Sequence, residues 1–169
     1  MDASPFDLRT VYTIATMVDA GLIGLRHVVP WADAWVLKLD SPPLWLLELC
    51  MTRDVRVAQG LLITAACQRA DPMGSDEHNA EYLACLFLRY RHGDLSWAAF
   101  LDEGGQQLDA SNASRTCEEL YGLLNALERD EHPADLEQVQ SADIERSLRD
   151  ALDRMEPLHR MFEALARAG

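Results

Sequence analysis

The stretch Ile144–Leu165, IERSLRDALDRMEPLHRMFEAL, is the most regular in the chain, and its reading sets the fold class. Its apolar residues Ile144, Leu148, Ala151, Met155, Leu158, Phe162 and Leu165 are separated by 4, 3, 4, 3, 4 and 3 residues. An α-helix turns once in ~3.6 residues, so this alternation lays all seven side chains along one stripe. The spacing predicts a long C-terminal helix packed against other helices. Pro157 should bend it, because proline lacks a donor and crowds the carbonyl one turn back. The same seam is a candidate surface for a homodimer.

Helical patterning also accounts for the chain upstream. Ser4-Pro5-Phe6-Asp7 reads as a helix start, with Ser4 as cap and Gly21 as the terminus. Residues 22–29 read as a connection, and Pro30 as the start of a helix carrying Trp31 and Trp35. Asp40-Ser41-Pro42-Pro43 stops that helix and supplies a cap for a short one around Trp45. Val55, Ala58, Leu61, Leu62, Ala65 and Ala66 form the next stripe, and Gly60 within it admits a close helix crossing. After the loop 71–76, a helix runs from about Glu77 to Tyr90 and ends at Gly93. Asp94 caps a short helix that Gly104-Gly105 terminates; residues 106–113 read as a loop. Ser114 caps a helix through Leu127, and residues 130–141 read as a surface connection. No run has the alternation and hairpin turns of a sheet. The expectation is all-α: one acidic domain over residues 1–169, a multi-helix bundle of about six to eight helices.

Fifteen basic against twenty-eight acidic residues give a net charge of −13. Residues 1–60 contribute −2, residues 61–130 contribute −7 and residues 131–169 contribute −4, so the acidity belongs to the middle and rear of the chain. Such a field repels phosphate backbones and anionic lipid, and attracts basic proteins. Nucleic acid and membrane are therefore not expected partners; a protein, of basic character, is. The amino-terminal residues lack the basic start of a secretory leader and no 18-residue apolar run occurs, so the expected location is the cytoplasm. Cys50, Cys67, Cys85 and Cys117 lie 17, 18 and 32 residues apart, which suits separate thiols better than a zinc site.

Chemistry has few footholds. There is no GxSxG elbow, phosphate loop or HExxH pair, and no cofactor is expected. The residues best placed to serve a metal-dependent or acid–base hydrolase are His78 and Glu81, three apart on a helix, with His92 and Asp94 flanking Gly93. The aromatic segment is the stronger candidate. Trp31, Trp35 and Trp45 fall within fifteen residues, beside Asp33 and Asp40. Indoles beside carboxylates supply rigid contact area at protein interfaces, although anchoring short helices in a core is their commoner use.

The stretches Val29-Pro30-Trp31-Ala32-Asp33 and Asp40-Ser41-Pro42-Pro43-Leu44-Trp45-Leu46-Leu47-Glu48-Leu49 resemble a pattern in small bacterial all-helical proteins, some of which are similar to toxin-neutralising immunity proteins. The resemblance covers this front segment and implies a structural motif with no catalytic residues. The resemblance implies a toxin-neutralising binding protein, and the net charge of −13 points to a basic toxin.

Overall fold

Helix ends and helix faces explain most of what the computed structural model shows for residues 7–67, 74–111, 117–129 and 134–168. Those residues form nine helices and no strand: α1 Leu8–Asp19, α2 Leu25–Val36, α3 Leu44–Met51, α4 Val55–Cys67, α5 Ser75–Arg91, α6 Trp97–Asp109, α7 Cys117–Arg129, α8 Ala134–Ser147 and α9 Arg149–Ala168. The protein is an all-α helical bundle with a long C-terminal helix. Contacts gather the chain into two compact units, one of residues 1–73 with 156–169 and one of residues 74–155.

In the first unit α1 packs on α4, α2 on α3, and α3 on α4. Helix α1 ends at Gly21, whose φ of +68° lets Leu22 N–H turn back to the Met17 carbonyl. Ser4, the expected cap, lies outside the described residues; Asp7 occupies the cap position. Helix α2 starts five residues before Pro30, because Gly24 and His27 form a local cap. The Gly24 N–H donates to His27 Nδ1 at 3.0 Å, satisfying a donor that a helix start leaves open. Proline then sits inside the first two turns instead of opening the helix. Helix α3 begins after Pro43, held extended at φ −66° and ψ 150°, so neither Asp40 nor Ser41 is its cap. Asp54 caps α4 by accepting the Arg56 N–H at 2.8 Å.

In the second unit α5 packs on α6, α6 on α7, and α7 on α8. Gly93, at φ +80°, ends α5 as the sequence indicates. Ser96, not Asp94, caps α6 by accepting the Ala99 N–H. Helix α6 runs through Gly104-Gly105 to Asp109, where a loop is expected. The glycines serve packing: a Cβ on Gly104 would lie 2.8 Å from Leu83 Cδ2 and 2.9 Å from Leu120 Cδ1. Helix α8 occupies most of the expected connection 130–141. It is a polar helix with only Gln140 and Ile144 buried, so its sequence carries almost no apolar stripe. Gln140 is held in place by two hydrogen bonds: Trp97 Nε1–H donates to its Oε1 at 2.8 Å, and its Nε2 donates to the Leu123 carbonyl at 3.0 Å. Phe87, Trp97 and Phe100 build the aromatic core around it, Trp97 stacked on Phe100 at 4.7 Å. The cap expected at Ser114 lies outside the described residues.

The C-terminal seam is divided by a turn at Leu148, so Ile144 belongs to α8 and the seam residues from Ala151 onward to α9. Ile144, Leu148, Ala151, Met155 and Phe162 are buried, and Leu158 and Leu165 half-buried. The stripe therefore faces protein, as its spacing requires. Phe162 meets Trp31 in the first unit, ring centroids 6.1 Å apart.

Charge divides as the contacts do. Residues 74–155 hold 18 acidic and 7 basic side chains, while the other unit holds 10 and 8. The second unit carries nearly all of the negative charge and the first is close to neutral. No described helix is long and apolar enough to cross a membrane.

Candidate functional site

Helix α3 is apolar on every side: seven of its eight residues, LWLLELCM, are hydrophobic. A helix of that kind is normally enclosed, yet only Leu46 and Leu49 are buried. Leu44 is 69% and Met51 82% exposed. Leu37, on the chain leading into this helix, is 88% exposed. Of the nine large hydrophobic residues exposed among the described residues, seven lie between Leu37 and Ile63. Scattered apolar residues are ordinary on a surface, whereas a concentration on one pair of helices is not.

A groove of about 530 Å³ runs between α3 and α4. Pro43, Leu44, Trp45 and Glu48 form its α3 wall. Val57, Gly60, Leu61 and Thr64 form the α4 wall at helical spacing i, i+3, i+4 and i+7. Ala58, Leu62, Ala65 and Ala66 bury the opposite face of α4. The helix is thus apolar on two faces, and only one is used by the fold. Gly60 is exposed and a Cβ there would meet nothing within 4 Å.

Of the aromatic candidates, Trp45 lines this groove and the others do not. Trp31 is buried against Phe162, the anchoring role. Trp35 is half-buried with Lys38 Nζ 4.8 Å from its ring centroid. Asp33 is exposed on α2 and accepts a hydrogen bond from the Cys50 thiol of α3; Asp40 is exposed in the α2–α3 connection. Groove-lining residues that sequence reasoning did not single out as a site include Leu44, Val57, Leu61 and Thr64. Their signal was present: α4 carries more apolar residues than one face can hold.

The hydrolase candidates do not converge. Glu81 is 1% exposed and pairs with Arg154 Nε at 3.4 Å. His78 packs near the Tyr82 ring, and His92 and Asp94 are exposed beyond α5. No group of three or more His, Cys, Asp or Glu side chains able to hold a metal occurs among the described residues. Cys50 and Cys85 are not activated thiols either. Burial, then the hydrogen bond to Asp33, pushes the Cys50 thiol up to about 11, and burial pushes Cys85 well above its ordinary value.

A polar cluster gathers on Glu163. His27, whose Nδ1 accepts from Gly24, donates its Nε2–H to Glu163 Oε1 at 3.0 Å. His159 Nε2 stands 3.9 Å from the same oxygen, and Arg167 Nη2 is 3.3 Å from the other. The His27 hydrogen bond holds the Glu163 carboxyl below its usual range. Both His27 nitrogens are engaged, Nδ1 in capping α2 and Nε2 in tying α2 to α9, which is a structural use. The one-turn spacings His159–Glu163 and Glu163–Arg167 are the cluster's traces in the sequence.

No known protein family, curated protein or solved structure matches this chain. The groove between α3 and α4 is thus a candidate site on its geometry alone.

Proposed function

We propose that this chain is a protein-binding domain whose contact surface is the exposed apolar face of α3 and α4. The observation that carries the reading is that concentration of uncovered hydrophobic side chains around a formed groove. Apolar area left in water forgoes roughly 25 cal/mol per Å², so a helix apolar on all sides and mostly uncovered suits a chain that buries it against something else. Aromatic and aliphatic anchors in a concave surface are also the usual carriers of binding energy between proteins. The partner is a basic protein, because a net charge of −13 accelerates encounter with cations and slows it with anions. Neutralisation of a toxin is the specific form that the front-segment resemblance favours, and the charge makes that toxin a basic one.

The test is comparative capture from the native cells, using the whole chain and its Leu44→Asp/Met51→Asp variant. Both positions are exposed, so the variant keeps its core. A basic protein recovered by the natural chain and lost with the variant supports the reading. Identical sets of recovered proteins, or recovery of nothing specific, reject it.

A further inference from the structure

A helix start leaves backbone donors without partners. One remedy is the capping box, in which a glutamate or glutamine at the third helical position reaches back to the N–H of the cap residue. In α2 the third position is His27, and its Nδ1 accepts the Gly24 N–H at 3.0 Å. Histidine changes the chemistry of such a cap. A glutamine oxygen accepts at any pH, whereas an imidazole nitrogen accepts only while it carries no proton. A free imidazole gains that proton near about pH 6.5, roughly two units above a carboxylate.

The surroundings decide which nitrogen the second proton takes. Nε2 stands 3.0 Å from Glu163 Oε1 and already directs its hydrogen there. Glu163 keeps its charge, since its carboxyl lies below the ordinary range, held there first by the His27 hydrogen bond. Arg26, His159 and Arg167 approach the same carboxylate at 3.8, 3.9 and 3.3 Å. On α3, which packs against α2, the ionisable side chains are Glu48, lining the groove, and Cys50, bonded to Asp33 of α2.

A second proton on the ring therefore goes to Nδ1, where it points at the Gly24 N–H across 3.0 Å, two donors with no acceptor between them. The ring is 3% exposed and tied at its far nitrogen, so it does not turn aside. The chain just before Gly24 is fixed as well: Leu22 and Ile23 are buried, and both of their N–H groups bond to the Met17 carbonyl. Gly24 has room, because nothing lies within 4 Å of where its Cβ would stand. That residue is where the chain gives way.

We infer that the cap of α2 is a proton-operated switch: protonation of His27 at Nδ1 expels the Gly24 N–H and frees the start of α2, while the bond from Nε2 to Glu163 keeps the ring against α9. The switch lies outside the α3–α4 groove, so it holds or fails independently of the protein-binding reading.

Nitrogen-15 NMR of the full chain tests this by following the His27 ring and the Gly24 amide together from about pH 8 to about pH 4. In the neutral ring Nε2 is expected to carry the proton and Nδ1 none. As the ring takes up its second proton, the Gly24 amide resonance should move on the same titration curve. Its protection from hydrogen exchange, corrected for the intrinsic rate at each pH, should fall roughly tenfold or more. His27→Gln restores the ordinary capping box and should keep Gly24 protected over the same range. The two curves of the natural chain decide the matter by themselves should that variant not fold. A proton on Nδ1 of the neutral ring, a Gly24 amide indifferent to the ring's titration, a ring that stays neutral until the chain unfolds, or an equal loss of protection in His27→Gln overturns the inference.

Discussion

Replacing Gly104 by alanine places one methyl group between two helices that leave it no room. The new Cβ would lie 2.8 Å from Leu83 Cδ2 and 2.9 Å from Leu120 Cδ1, whereas carbon atoms in contact prefer about 3.5–4.0 Å. Each neighbour must therefore recede by roughly 0.6–0.7 Å at the least. Leu83 and Leu120 are 1% and 0% exposed, so neither can swing toward water, and the displacement passes into the α5–α6 and α6–α7 contacts together. Overpacking of this kind costs about 1–3 kcal/mol, and alanine returns about 1 through helix propensity. Gly122→Ala isolates the clash, because Gly122 lies in the neighbouring helix α7 and its Cβ would meet nothing within 4 Å. That variant should gain up to about 1 kcal/mol. The propensity gain cancels between the two, so urea denaturation followed by circular dichroism should separate them by about 1–3 kcal/mol, with Gly104→Ala the less stable. A Gly104→Ala protein as stable as Gly122→Ala would refute the packing assigned to α6.

Glu163 has its carboxyl held below 4.5 by His27, so its contribution to stability is complete above that pH and is lost as pH falls through the lowered value. Between about pH 5 and pH 3 the natural chain should therefore lose more stability than Glu163→Gln, and parallel losses in acid denaturation would contradict this. Trp97→Phe removes the donor to Gln140 Oε1 and should cost about 1–3 kcal/mol, with a double-mutant cycle against Gln140→Met showing coupling between the two. Cys85 is fully buried with its thiol pushed up by burial, whereas Cys67 is exposed, so peptide mapping after alkylation of the native protein should find Cys67 modified and Cys85 intact. Comparable rates at both would show that the core around α5 opens readily.

Positions where a local rule and the tertiary fold agree were legible in the sequence. Gly21 and Gly93 end helices because each adopts a positive φ that other residues resist, and the C-terminal stripe faces protein because its spacing keeps one side apolar. Legibility failed where the reason for a residue lies in another helix. Gly104-Gly105 looks like a terminator until α7 is seen lying against it, with the Tyr121 ring filling the space beside Gly105. Helix α8 escapes notice because it is secured by Gln140 and Ile144 in place of a continuous apolar stripe. The early start of α2 depends on an imidazole used as a cap acceptor, outside the usual Ser, Thr, Asp and Asn signals.

The site was half legible. Trp45, the Pro42-Pro43 corner and Gly60 stand out as residues, and the groove they border does not, since it depends on which of two apolar faces of α4 the fold consumes. Likewise Trp31, chosen beside Trp45 by proximity in sequence, turns out to point into the core.

The central claim, that the uncovered face of α3 is where another protein sits, is tested most directly by site-specific photo-crosslinking in the native cells. A photoreactive residue is introduced at Met51 on α3, with Val139 on α8 as the control; these side chains are 82% and 61% exposed. The account predicts a discrete adduct with a basic protein from Met51 and none from Val139. No adduct at Met51, or the same adducts from both positions, would contradict it.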